Sequence, residues 1–277
     1  LNLYPFRRAK KSPLSLGAHF ETSLREPDFY YQNFYSNHYR WENSFSKIST
    51  TKISGNIAVP RWNLGLEAGY ALLSNNIYFD PSATIRQNSV PMSIFSATLT
   101  KNFTLGLFHL DNRLLFQLSS NQEVVPLPLL AANARWYMQL NIAKGILKMQ
   151  IGADAWWNTE YYSQGWNPAI GAFINQNEVK YSNGPFIDAF VNMQWKRACI
   201  FVKLENAGMG WPMDKADYFS ASNYIRTQRC IKFGIYWPFY KQPSSNKAVQ
   251  AGAGMGGVTG GIKAPPTMDR GVGGLGR

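Results

Sequence analysis

From Ala132 the sequence alternates strictly. Ala132, Ala134, Trp136, Met138, Leu140 and Ile142 are apolar, while Asn133, Arg135, Tyr137, Gln139 and Asn141 between them are polar or amphipathic. After Ala143, Lys144 and Gly145 the alternation resumes, with Leu147, Met149, Ile151, Ala153, Ala155 and Trp157 set against Lys148, Gln150, Gly152, Asp154 and Trp156. Period two puts successive side chains on opposite faces of a strand. A run this long is about twice the usual strand of five or six residues. It suits the roughly ten-residue strands that cross a bilayer at a tilt. The pattern predicts an all-β fold, an antiparallel transmembrane β-barrel.

Composition narrows the alternatives. No stretch approaches eighteen uninterrupted apolar residues, which excludes a helical membrane protein. Aromatic residues make up 15% of the chain, with Trp and Tyr concentrated near the ends of the alternating stretches, as interfacial girdles require. A soluble sandwich or lipocalin-like barrel would seldom carry outward Trp, Met and Leu at both strand ends. The formal charge of +12 is scattered singly along polar faces. No basic stripe with interleaved aromatics forms a nucleic-acid footprint, so no nucleic-acid partner is expected. Arg7, Arg8, Lys10 and Lys11 form a basic cluster suited to anionic lipid or lipopolysaccharide, or simply to a solvated loop.

The alternation predicts about eleven strands, at 14–25, 30–45, 48–59, 63–78, 91–103, 106–119, 131–142, 146–158, 186–196, 198–207 and 227–240. Tight turns are expected at Pro60–Trp62, Asn102–Thr104, Ala143–Gly145 and around Lys196–Arg197. Long connections are expected at 79–90, 120–130, 159–185 and 208–226. Bacterial barrels turn short connections to the periplasm and long ones outward. Only Ser46–Lys47 would be short on the long side. An odd count would start the first strand at the outer face, which predicts that these strands form part of a larger, even-stranded barrel. The chain opens on Leu1 without a leader-like segment, consistent with processing or truncation of the start. Residues 1–13 read as an N-terminal loop segment, 14–240 as the barrel strands and 241–277 as a flexible periplasmic tail. That tail has ten glycines and no periodicity. Antiparallel pairing would put Cys199 opposite residues near Tyr240 and several residues from Cys230, too far for a disulfide. Two free thiols are expected.

Several blocks carry a family resemblance. They are Tyr35-Ser36-Asn37-His38-Tyr39-Arg40-Trp41-Glu42-Asn43, Pro60-Arg61-Trp62 with Leu64, and Ser74-Asn75-Asn76-Ile77-Tyr78-Phe79. Trp195-Lys196-Arg197-Ala198, Leu204-Glu205-Asn206 and Phe233-Gly234-Ile235-Tyr236-Trp237 complete the set. In sequence and spacing, from about residue 14 to residue 240, the chain resembles the C-terminal portion of the putative porins of Bacteroidota outer membranes. The resemblance implies an outer-membrane location and a channel-like role. It also implies that Phe239 and Tyr240 serve as an internal version of the closing aromatic signal, because the Gly-rich tail follows them.

The faces expected to point inward carry His19, Glu21, Arg25, His38, Arg40, Glu42, Lys52, Glu67, His109, Asp111, Arg113, Arg135, Lys148, Asp154, Asp188, Lys203, Glu205, Arg229 and Lys232. A charge facing lipid at mid-membrane costs about 2–4 kcal/mol, so their confinement to one parity supports the assignment. Two uses remain open: a wet lumen whose charges set solute preference, or ion pairs filling a narrow interior. His38 with Glu42 or Glu21, and with Ser36 or Ser44, has the composition of a hydrolytic site. Barrel-wall hydrolases present such groups to lipid, whereas these should point inward, so no enzyme activity is expected. Histidines on separate strands give no metal-ligand spacing, and no glycine loop leads into a helix to hold a phosphate. Neither metal nor cofactor is expected. The resulting expectation is a porin-like channel for passive diffusion of small solutes, in contact with outer-membrane lipid and lipopolysaccharide. The alternative is a non-conducting accessory barrel that joins other outer-membrane proteins. Residues 159–185, with Tyr161, Tyr162, Trp166, Pro168 and Phe173, could fold inward as a constriction or outward as a contact surface.

Overall fold

The computed structural model describes residues 14–210 and 219–238. Its centre is one ten-stranded sheet: β1 Ser15–Arg25, β2 Ile48–Val59, β3 Leu64–Ser74, β4 Met92–Leu105, β5 Phe108–Ser119, β6 Leu130–Ile142, β7 Leu147–Tyr161, β8 Tyr181–Trp195, β9 Ala198–Glu205 and β10 Cys230–Tyr236. Each strand pairs antiparallel with its sequence neighbour, in order β1 to β10. Such a meander needs only local connections. Strands β1 to β8 run 11–15 residues each, enough to cross a hydrocarbon layer at a tilt. Among the described residues no helix is long and apolar enough to cross a membrane.

Register converts the alternation into two unlike faces. On one, Leu16, Ile57, Leu66, Leu99 and Leu114 are consecutive cross-strand partners. Phe103, Leu110, Trp136, Ala153 and Ala189 form another such row. These side chains are not covered: Phe20 is 52%, Trp136 58% and Phe233 78% exposed. An apolar face of this extent far exceeds the patches that water-soluble monomers tolerate. A sandwich would cover it with a second sheet; here it requires lipid. Trp62, Trp195 and Trp237 gather at the tight-turn end, and Trp157 lies near the other end. Trp136, at mid-strand, departs from the girdle pattern.

Tight connections lie at 60–63, 106–107, 143–146 and 196–197, all on one side of the sheet. The five long connections, 26–47, 75–91, 120–129, 162–180 and 206–229, lie on the other. The turn expected at Asn102–Thr104 falls later, because β4 continues to Leu105 and Gly106 supplies the left-handed backbone (φ 60°). The stretch expected as a strand over 30–45 is instead a one-turn helix, Phe29–Gln32, and a small hairpin, Asn33–Tyr35 with Arg40–Glu42. Ser36 closes that hairpin: its N–H donates to the Tyr39 carbonyl (2.8 Å), and its Oγ accepts from the Tyr39 N–H (3.2 Å). The strand expected over 63–78 likewise stops at Ser74. Asn75 then takes a left-handed conformation (φ 59°), and Asn76–Phe79 turns back on Ile85–Asn88. The continuous sheet therefore counts ten strands against about eleven expected. Ser46–Lys47 is no longer an exception, and both ends of the described sheet lie on the tight-turn side. The odd-parity reason for further strands falls with that count.

Cys199 pairs with Tyr236 and Cys230 with Glu205, and both thiols are free. The 1–13 loop, the Arg7–Lys11 cluster, Phe239, Tyr240 and the 241–277 tail lie outside the described residues.

Candidate pore-lining face

The second face of the sheet gathers most of the charged residues selected from the sequence. It changes character from one side to the other. On β2 to β4 it carries Ser54, Asn56, Ser96, Thr98 and Thr100 together with Lys52 and Glu67. His19, Glu21 and Arg25 share this face on β1, and Glu21 stands opposite Lys52. From β5 onward it becomes a band of paired charge. Asp111, Arg135, Asp154 and Asp188 are consecutive partners across four strands. The next row holds His109, Tyr137, Gly152, Phe190, Lys203 and Lys232.

The ion pairs of this band join adjacent strands. Both Nε and Nη2 of Arg135 donate to Asp154 Oδ2, at 3.1 and 2.7 Å, while Asn133 Nδ2 donates to Asp154 Oδ1. Lys203 Nζ lies 2.8 Å from Asp188 Oδ2, and Lys232 Nζ 2.7 Å from Glu205 Oε2. Asp188 Oδ1 also accepts the Asn206 N–H, and Cys230 Sγ donates to Glu205. In each pair the carboxylate is the more buried partner: 7% exposed against 30% for Asp154 and Arg135, 17% against 33% for Asp188 and Lys203, 11% against 47% for Glu205 and Lys232. The carboxylates sit low on the wall, and the cations reach out from it.

Aromatic packing completes the band. His109 and Tyr137 stack at 4.8 Å with their planes 6° apart. A Cβ at Gly152 would fall 2.1 Å from the Trp136 carbonyl and 2.6 Å from the Tyr137 Cβ, so only glycine lets β6 and β7 approach at that row.

Four residues expected on this face lie elsewhere. His38, Arg40 and Glu42 belong to the 33–42 hairpin on the long-loop side, with the Arg40 guanidinium over the Tyr35 ring. Ser36 Oγ is engaged with Tyr39. The structure therefore does not assemble them with His19 and Glu21. Arg229 precedes β10 and donates to the carbonyls of Ala207 and Met209. Arg113 and Lys148 take their places on β5 and β7. Among the described residues, no group of three or more His, Cys, Asp or Glu side chains is placed to hold a metal ion.

Beyond the long-loop end of this face sits a cap that the alternation did not reveal. Ile77, Phe79, Ala83, Ile85 and Ile170 form a buried cluster, packed by Tyr30, Phe34, Trp41 and Ile48 among others. Asn175 ties the loops together: its N–H donates to Phe79 O, its Nδ2 to the carbonyls of Glu123 and Val124, and its Oδ1 accepts from Gln164. Tyr30 OH donates to Ile170 O. Trp166 N–H donates to Ser222 O, and the Trp166, Phe173 and Tyr224 rings pack together. The 162–180 connection thus folds onto neighbouring loops. Ile48 shares the face of Lys52, and the Arg226 guanidinium lies over Phe186 on the face of Asp188. The cap consequently leans over the polar face.

Asp80 anchors one of its turns, accepting the N–H groups of Ser82 and Thr84 and pairing with Arg86 Nε at 2.5 Å. Burial pushes its pKa up, but the Arg86 hydrogen bond and the two backbone donors outweigh this and hold the carboxyl below its ordinary value. Asp80-Pro81-Ser82 is a turn signature in which an Asp side chain bonds the following backbone; the sequence reading passed over it.

The chain resembles several outer-membrane barrels in fold. It is similar to the pyoverdine outer-membrane receptor of Pseudomonas aeruginosa PAO1, at 14% identity and TM-score 0.51, over 82% of this chain and 34% of the receptor. It is also similar to the FrpB iron transporter of Neisseria meningitidis, at 8% identity and TM-score 0.51, over 83% of this chain and 37% of the transporter. The chain thus spans about a third of the length of these structures. No curated protein matches it in sequence. The profile of one family, described as putative porin, matches residues 3–241. With its antiparallel sheet and lipid-demanding apolar face, the chain belongs to the putative-porin family of outer-membrane proteins.

Proposed function

We propose that the protein is a porin-like channel through which small solutes diffuse passively across the outer membrane, without chemical turnover. The observation that carries this reading is the two-faced sheet: a continuous uncovered apolar face backed by a continuous polar one. A wall with this division lets lipid wet one side while water and solute occupy the other. Asp154, Asp188 and Glu205 are paired with Arg135, Lys203 and Lys232 of adjacent strands, which braces the wall and leaves hydroxyl, amide and cationic groups to meet solute. Lipid and lipopolysaccharide would contact the other face.

A second reading has its own support. The buried loop cluster leans over the polar face, as in a barrel that is closed and serves as an accessory subunit of a larger outer-membrane assembly. Reconstitution of the intact full-length protein in planar bilayers separates the two. Stepwise openings that scale with protein added are expected for the channel. Silence from folded, heat-modifiable protein, together with co-purifying outer-membrane partners, would overturn it in favour of the accessory role.

A further inference from the structure

The charge surplus of the chain is not used up by the polar face, where cations and carboxylates nearly balance. Part of it sits on the tight-turn rim. The four tight connections contribute Arg61, Lys144, Lys196 and Arg197 and no carboxylate. The long-loop side mixes both signs, as in the Glu26–Lys47 and Asp80–Arg86 pairs.

Three of the four rim cations belong to the two turns that flank one groove. The β6–β7 and β8–β9 turns are joined by a hydrogen bond from Lys196 N–H to Ile146 O (3.2 Å). Between them lies an open groove of about 370 Å³ lined by Ile142, Ile146, Leu147, Met193, Trp195 and Ile200. Its strand residues all belong to the apolar face, so the groove opens toward lipid. Lys144, Lys196 and Arg197 are exposed at its turn end. An apolar slot that ends in cations matches an acyl chain followed by an anionic headgroup.

We infer that this groove is a binding site for an anionic glycerophospholipid of the leaflet facing the tight turns. An acyl chain lies along Ile142, Met193 and Trp195, and the phosphate meets Lys144, Lys196 and Arg197. Outer-membrane barrels turn their short connections to the periplasm, which is the phospholipid side rather than the lipopolysaccharide side. The inference rests on the lipid-facing assignment of the apolar face, and not on conduction.

Tryptophan quenching by acyl-brominated lipid tests it on the full-length protein folded in micelles. Trp195→Phe identifies the part of the signal that comes from the groove. Brominated phosphatidylglycerol is expected to quench Trp195 at about a fivefold lower lipid fraction than brominated phosphatidylcholine, the attraction of roughly one cation to an anionic surface. Molar salt, which screens exposed charges, should erase that difference in the unmodified protein, and Lys144→Gln/Lys196→Gln/Arg197→Gln should erase it at low salt. Equal quenching by both lipids, or a preference that survives salt, would overturn the headgroup site while leaving the lipid-facing assignment intact. No Trp195-dependent quenching by either lipid would overturn both.

Discussion

In the sheet, Phe20, Trp136 and Phe233 are more than half exposed, whereas in the loop cap Phe79 and Ile170 are only 4% exposed. The two regions are built from similar residues, aromatic and branched aliphatic, yet they treat them oppositely. The cap hides its apolar groups among themselves, as a water-soluble domain does. The sheet turns them out and gathers its carboxylates and amides on the other face, with Asp154 and Asn158 among the buried polar residues. The difference is the solvent each region was shaped for: water around the cap and hydrocarbon around the wall. A single chain can satisfy both because the strands end where the environment changes.

Emptying the cap's core should produce the largest effect. Phe79 touches Tyr30, Tyr31 and Trp41, so Phe79→Ala should cost the cap about 3–5 kcal/mol. Limited proteolysis should then cut the 26–47 and 75–91 connections while the heat-modifiable band of the folded sheet persists. Loss of both together would mean that the cap and wall are one cooperative unit.

Next comes a parity test on β4. Leu99 lies at mid-strand on the apolar face and Thr98 on the polar one. Leu99→Arg should destabilise the protein in lipid bilayers by about 2–4 kcal/mol, measured by urea unfolding in liposomes. Thr98→Arg should cost well under half of that. Equal costs would remove the distinction between the faces.

Within the polar band, Asp154→Ala leaves Arg135 without its principal acceptor. It should cost about 1.5–3 kcal/mol, toward the lower end because Arg135 is 30% exposed. Arg135→Ala combined with it should cost less than the sum of the two single changes. The smallest effect belongs to acid. Asp80 has its pKa lowered in the folded cap, so its stabilisation is present above the ordinary carboxylate range and is lost as pH falls below that range, through the lowered folded value. Protection of the Ser82 and Thr84 amides, relative to their intrinsic exchange rates, should fall below about pH 4, and Asp80→Asn should remove that pH dependence.

The wall was legible in the sequence because period two is imposed residue by residue; 48–59 was located without error, and most strand ends within one or two residues. The cap was not, because its order comes from contacts between segments far apart in sequence. Tyr30, Phe34 and Trp41 are spread among polar residues without keeping one parity, and their packing on the cluster of Ile77 and Phe79 shows them to be core. Ser36-Asn37 in the middle of that stretch was the local signal of a turn. Among the charged residues, parity correctly grouped those of the sheet. It could not show that carboxylates lie deeper than their cations, a matter of side-chain length and register. His38, Arg40 and Glu42 were misplaced along with the strand that was expected to hold them.

The division between faces is tested most directly by single cysteines at successive positions from Phe95 to Thr100 of β4, with Cys199 and Cys230 replaced by serine, in intact outer membranes. A water-soluble thiol reagent should label Ser96, Thr98 and Thr100 positions and spare Phe95, Ala97 and Leu99. A lipid-soluble quencher should show the reverse. Uniform labelling at both parities would contradict a wall with lipid on one side and an aqueous interior on the other.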